Sequence, residues 1–301
     1  MADYGHELLF GTFITPTAKP AQQAVDLAIV SEDAGLDLVT FQDHPYQPAF
    51  HETWTLLTYV AARTSRIRLA GNVLNLPLRQ PAVLARSAAS LDLLSGGRFE
   101  MGIGSGAFWD GIAGMGGRRL TSGQSIKALD EAIAIMREVW NAGERTGIYL
   151  DGDYYQIKGA KRGPAPAHPI DIWIGAYKPK MLALTGRVAD GVLPSLGYLP
   201  GGPADLAEMH DRIDVAATEA GRKPSDVRRL LNIGGQFTST GGGLLVGPPQ
   251  QWAEQLAEIT LTYGVSGYFL AANDALTIER FAQEVAPATR ELVAAERTIH
   301  G

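Results

Sequence analysis

Eight times along this chain a short apolar run rich in β-formers is followed by a stretch with helical periodicity, and few folds accommodate that alternation. The runs are Leu8–Ile14, Gly35–Phe41, Arg66–Val73, Gly97–Gly104, Ile170–Ala176, Asp190–Ser195, Arg229–Phe237 and Ser266–Ala272. Helical stretches follow at about 20–34, 52–63, 81–94, 122–142, 179–188, 203–220, 249–263 and 276–295. A hairpin is expected over Tyr149–Lys158 as an insertion. Eight strand–helix units in 301 residues suit a (β/α)8 TIM barrel, with 1–301 as a single domain. An open doubly wound sheet is the rival, because periodicity alone does not close a sheet. Its dinucleotide-binding form wants G-x-G-x-x-G after the first strand, where this chain has Ile14-Thr15-Pro16-Thr17-Ala18.

Composition narrows the function classes. With 26 basic against 32 acidic residues and no basic block, neither nucleic acid nor an anionic membrane is the expected partner. The chain has no Cys, which removes disulfides, thiolate metal sites and Cys nucleophiles together. No run approaches the roughly 18 apolar residues that span a bilayer, and the N-terminus lacks the basic region of a signal peptide. A cytoplasmic location is the expectation.

In a barrel, chemistry belongs where strands end and the following loops begin. The second such window is Phe41-Gln42-Asp43-His44-Pro45-Tyr46. An imidazole there suits proton transfer near neutral pH, with Asp43 to orient it or to cap the loop. A loop His without a role is the alternative. The third window holds Asn72-Val73, where Asn72 is either a ligand contact or a satisfied core amide. The fourth, Gly104-Ser105-Gly106-Ala107-Phe108-Trp109, has the alternating glycines that let a flat ligand or a phosphate approach the backbone, though tight turns use them too. The fifth, Gly175-Ala176-Tyr177-Lys178-Pro179-Lys180, reads as an anion site at a helix N-terminus or as a solvated basic edge. Ser195, Gly234, Gly235, Asn273 and Asp274 complete the rim. The six His are scattered, and no H-E-x-x-H, G-x-S-x-G or P-loop occurs, so no metal is expected. An apolar, glycine-rich mouth with few titratable groups suits a planar cofactor that brings its own chemistry.

The run LARSAASLDLLSGGRFEMGIGSG (84–106) resembles the helix and fourth strand of the luciferase-like flavin- and deazaflavin-dependent oxidoreductases. AGLDLVTFQDH (34–44), ARTSRIRLAGNVL (62–74), LDEAIAIMREVW (129–140), DGDYYQIKGA (151–160) and GRVADGVLPS (186–195) extend the resemblance. It implies a (β/α)8 barrel with the cofactor ring in its mouth and His44 as the active-site imidazole. Asn72–Val73 matches a non-prolyl cis peptide under the ring, and Gly104, Ser105 and Gly106 match the loop flanking the ring and its ribityl chain. Tyr177 and Lys178 match backbone positions at the cofactor phosphate, which follow Gly175 and Ala176, and Ser195 matches a hydroxyl ligand of that phosphate. The sugar-phosphate dehydrogenases of the deazaflavin branch carry a Glu where this chain has Ala107, another Glu in the region of Thr15–Lys19, and a Lys where it has Tyr198. The luciferases place an Arg where Ser105 stands. The resemblance therefore implies hydride transfer between coenzyme F420 and a small organic substrate, with His44 moving the proton, Asp43 tuning it, and Tyr46, Phe108 and Trp109 lining the substrate pocket. The alternatives are an FMNH2-dependent monooxygenase served by a flavin reductase, and a non-catalytic flavin-binding protein. Homodimers are common in the family, and dimerisation is expected.

Overall fold

A computed structural model describes residues 3–300. Its elements are β1 (Leu9–Ile14), α1 (Gln23–Asp33), β2 (Leu38–Phe41), α2 (Thr53–Arg63), β3 (Arg68–Gly71), β4 (Leu74–Asn75), α3 (Pro81–Ser95), β5 (Phe99–Gly104), α4 (Trp109–Gly114) and α5 (Ser122–Trp140). There follow β6 (Ile148–Asp151), β7 (Gln156–Ala160), β8 (Ile172–Ile174), α6 (Pro179–Val188), β9 (Gly191–Val192), α7 (Asp205–Glu219) and β10 (Arg228–Ile233). The chain continues through β11 (Gln236–Phe237), β12 (Val246–Gly247), α8 (Pro249–Tyr263), β13 (Gly267–Ala271), α9 (Ala275–Arg280) and α10 (Ala286–His300).

Parallel pairing runs β1–β2–β3–β5–β8–β9–β10–β13 and returns from β13 to β1, so the sheet closes on itself. This is a (β/α)8 barrel with helices between its strands. The two-residue β4 extends β5 at the rim, and β6–β7 form the expected antiparallel hairpin. Several boundaries differ from expectation for local reasons. The Glu52 carboxylate accepts from the Trp54 and Thr55 N–H groups and sets the start of α2, as a good N-cap does. Thr121 and Gln124 form a capping box at α5. The final helix is not one uninterrupted stretch: a π-helical turn over Phe281–Val285 joins α9 to α10. The short helix α4, beside the mouth, lay outside the sequence expectation.

The apolar interior has two parts. Leu38, Ala70, Trp173, Leu193, Leu230 and Phe269 fill the barrel lumen, with Trp173 and Phe269 stacked at 6.2 Å between ring centroids. Phe13 and Val73 sit against this cluster. The larger cluster fills the layer between strands and helices. Lumen packing dictates some glycines: a Cβ on Gly191 would stand 2.6 Å from Trp173 Cδ1. At the opposite end of the strands from the mouth, Glu100 is fully buried and meets Arg68 and His168, and its Oε2 accepts from Asp171 N–H. Charge at that end of a barrel serves stability rather than chemistry.

Candidate active site

The barrel mouth opens into a cavity of about 750 Å³ whose walls come from almost every strand end. Its floor is built around Asn72–Val73, which is a non-prolyl cis peptide as the resemblance implied. The Val73 side chain stands over β5 and β8: a Cβ on Gly104 would be 2.7 Å from Val73 Cγ2, and one on Gly175 would be 3.2 Å from the same atom. Gly104, Ser105 and Gly106 all line the cavity. Gly104 makes room for Val73; Gly106, at φ +93°, turns the chain out of the barrel.

Asn72 is a satisfied amide that also lines the cavity. Its Nδ2 donates to Asn232 Oδ1 at 2.6 Å and to Thr40 Oγ1 at 3.0 Å, while Asn232 Nδ2 donates back to Asn72 Oδ1 at 2.9 Å. Asn232 Nδ2 also donates to Ser195 Oγ at 3.0 Å, and Tyr177 Oη accepts from Ser195 N–H at 2.8 Å. One polar chain therefore links the floor to the expected phosphate end. Asn232 was missed in the sequence, where it is a lone amide in an apolar run.

His44 and Asp43 are adjacent but turn to different partners. Asp43 is buried; its Oδ2 accepts from Arg79 Nε at 3.0 Å, Arg79 Nη2 at 2.9 Å and Asn75 N–H at 2.8 Å. Glu52 accepts from the same Arg79 at 2.6 Å. No hydrogen bond joins Asp43 to the imidazole; of the two expected roles, orienting the ring or capping the loop, its contacts serve the second. It holds the loop instead and acts on His44 only as a nearby negative charge. His44 Nδ1 lies 2.7 Å from Tyr46 Oη, and Phe108 packs edge-on at 5.2 Å. Burial pushes the His44 pKa below its ordinary 6.5 against a smaller upward pull from Asp43. Burial likewise pushes the Tyr46 phenol up to about 12. The site thus presents a neutral imidazole and a protonated phenol at neutral pH.

Most of the other expected residues come together here. Ser105, Gly106, Phe108, Trp109, Gly175, Tyr177, Lys178 and Ser195 all line the cavity. Ala176 does not: its side chain is buried in the outer core. His51 Nε2 turns away to Ala21 O. Phe13, Gln42, Asn75, Ser125, Met181 and Ile233 add to the wall without local sequence signals. Asp43 Oδ1 and Asn75 Oδ1 are buried acceptors of the cavity wall with no partner. Orphaned acceptors at this depth call for ligand or water donors. Lys178, directly before Pro179 at the start of α6, and Ser195 line the same cavity, and an ammonium and a hydroxyl suit an anionic group. The cavity therefore offers both acceptors for ligand N–H donors and cationic and hydroxyl groups for an anion. Among the described residues, no group of three His, Asp or Glu could hold a metal ion.

Residues 5–240 match the family described as luciferase-like monooxygenase. The F420-dependent glucose-6-phosphate dehydrogenase of Mycolicibacterium gilvum (strain PYR-GCK) is 32% identical over 220 residues, or 70% of this chain and 64% of that protein, so the match spans less than two thirds of that relative's length. The enzyme of the same description from Nocardia farcinica (strain IFM 10152) is 30% identical over 276 residues, covering 87% of this chain and 79% of its own. Among solved structures, an F420-dependent secondary alcohol dehydrogenase in complex with an F420–acetone adduct superposes with a TM-score of 0.82 at 18% identity, covering 94% of this chain and 99% of that one. The FMN-bound oxygenating constituent of 3,6-diketocamphane monooxygenase from Pseudomonas putida superposes with a TM-score of 0.75 at 18% identity, with the same coverage of each chain. At these identities the structures speak to the fold alone.

Proposed function

This chain belongs to the luciferase-like monooxygenase family, and we propose that within it the protein is an oxidoreductase working between coenzyme F420 and a small, uncharged or modestly polar organic substrate. The observation that carries this proposal is His44: a half-buried imidazole lining a cavity whose wall combines aromatic and amide groups with Lys178 and Ser195. An imidazole able to exchange a proton in a cavity of that kind suits chemistry whose electron-transfer half is brought by a bound cofactor. F420 supplies hydride acceptance or donation when bound. The curated relatives named as F420-dependent favour it.

In this proposal Asn72, Val73, Gly104, Ser105 and Gly106 support the ring, and Gly175, Tyr177, Lys178 and Ser195 hold the phosphate end. Ala176 contributes by backbone only. His44 takes or gives the proton that accompanies hydride transfer; Asp43, through Arg79 and Asn75, fixes the loop from which it reaches. Tyr46, Phe108 and Trp109 form the aromatic wall that receives the substrate and keeps out water. Residues 1–301 act as one barrel domain in the cytoplasm, and a homodimer is supported by the exposed Tyr59 of α2 and Val83, Leu93 and Leu94 of α3. Among the described residues no helix is long and apolar enough to cross a membrane.

Parallel fluorescence titrations of the purified protein with F420 and FMN test the cofactor. F420 binding at micromolar concentration or tighter with negligible FMN binding is the expected result, and neither binding folded protein overturns the proposal. A preference for FMN would favour the second reading, an FMNH2-dependent monooxygenase with a flavin reductase partner, for which the description of the matching family as luciferase-like monooxygenase speaks.

A further inference from the structure

Tyr46 has a more specific place in the site than that of an aromatic wall. Its hydroxyl lies 2.7 Å from His44 Nδ1, within ordinary hydrogen-bond length, although the rings are tilted at 52° and do not stack. The phenol is held where it stands. Gly111 of α4 comes so close to its ring that a Cβ there would be 2.7 Å from Tyr46 Cγ, and Phe108 packs on it with centroids 6.0 Å apart. The Asp43 Oδ2 is engaged by Arg79 and the Asn75 N–H, and His44 Nδ1 has Tyr46 Oη, not Asp43, as its partner. Among the described residues no hydrogen bond reaches His44 Nε2, while His44 itself lines the cavity.

A neutral imidazole has one N–H and one lone pair, and the partner of one nitrogen decides what the other presents. We propose that Tyr46 is the positioning residue of His44: its oxygen accepts the Nδ1–H, so that the Nε2 lone pair faces the cavity as a base. A substrate hydroxyl brought to Nε2 then loses its proton there; the O–H bond breaks, an N–H bond forms, and the imidazolium keeps its Nδ1–H donated to Tyr46. The arrangement has the logic of a hydrolytic triad, in which a third group holds the base in the useful tautomer. Here that group is an uncharged phenol, which orients the ring without drawing a proton onto it. The depressed His44 pKa is consistent with a base that stays neutral. The proposal rests on the oxidoreductase reading for the identity of the proton's source.

The test is the tautomer of His44 in protein labelled with 15N-histidine, read without any cofactor by long-range proton–nitrogen correlation at a pH where the ring is neutral. A spectrum of His44→Gln assigns the signal. The expected result is a protonated Nδ1 and a bare Nε2 in the unmodified protein, and a shift of population toward Nε2–H in Tyr46→Phe, which keeps the ring packed on Gly111 and Phe108. Turnover by Tyr46→Phe is expected to show kcat lower by about tenfold or more with KM within about twofold. A proton on Nε2 in the unmodified protein, or the same tautomer with and without the hydroxyl, overturns the assignment. Because the spectra need no cofactor, a failure of F420 to bind would refute the proposed function separately and leave the tautomer result to stand or fall alone.

Discussion

The Asp43 carboxylate, bound to Arg79, and the His44 imidazole, bound to Tyr46, divide two tasks between neighbouring residues, and each division has a measurable consequence. His44→Ala is expected to lower kcat by about 10²- to 10⁴-fold, the range of a lost general acid or base, while F420 affinity stays within a few fold. Full turnover with normal cofactor binding would refute the proton role. If neutral His44 is the working form, activity is lost as pH falls through its pKa, and burial sets that pKa below 6.5. The acid limb of kcat/KM should therefore have its midpoint below 6.5. A second imidazole bears on stability instead. His210 is fully buried, and burial with the nearby Arg229 charge pushes its pKa to about 3. The unfolded chain takes up this proton first, so stability present above about pH 6.5 is lost on acidification by about 1.4 kcal/mol per pH unit. His210→Asn, which retains a donor for Tyr263 O, should flatten that slope in denaturant titrations run between about pH 6 and pH 4. At this scale the sequence showed His44 because a strand-end position names it. Asn232 escaped because its meaning lies in Asn72, 160 residues away, and the Tyr46 bond escaped because a phenol near the mouth also reads as wall.

Strand and helix order were legible because the alternation of periods is a property of local sequence; the uses to which the elements are put were less so. The glycines around Gly104 have a signature that a ligand-binding turn and a packing site share. The placement of Val73 over β5 and β8 shows the packing use, at a turn that lines the cavity as well. Gly104→Ala would force its Cβ against Val73 Cγ2, and overpacking of this kind costs about 1–3 kcal/mol. Both a lower denaturation midpoint and weaker F420 binding are expected, since Val73 belongs to the cavity wall. An unchanged midpoint would show that the floor yields more easily than its packing implies. Strand β9 shrank to two residues because the run that announced it contains Pro194, which cannot donate to a ladder. The π turn within the last helix left no mark in the periodicity, for Phe281 and Val285 are apolar and buried as a regular helix would also have them.

For the whole molecule, closure of the sheet is what converts eight weak windows into one cavity. The alternation made a barrel the favoured architecture, yet the pairing of β13 with β1 is a long-range fact that no local pattern contains. Outside the barrel, Leu94 is 85% and Val83 62% exposed on α3, with Tyr59 on neighbouring α2. Light scattering coupled to size exclusion is expected to give twice the 32.2 kDa chain mass, falling to a single mass in Leu94→Asp. A monomer at every concentration would refute the dimer. The reciprocal amide pair of Asn72 and Asn232 has a consequence for anyone recombining this gene with a homologue. The two residues lie on opposite sides of the hairpin insertion, so any crossover between them separates partners that satisfy each other in the floor of the mouth. A chimera that inherits Asn at one position and an apolar residue at the other leaves a stranded amide in the cavity wall. Positions 72 and 232 have to be exchanged together, however far apart they are written.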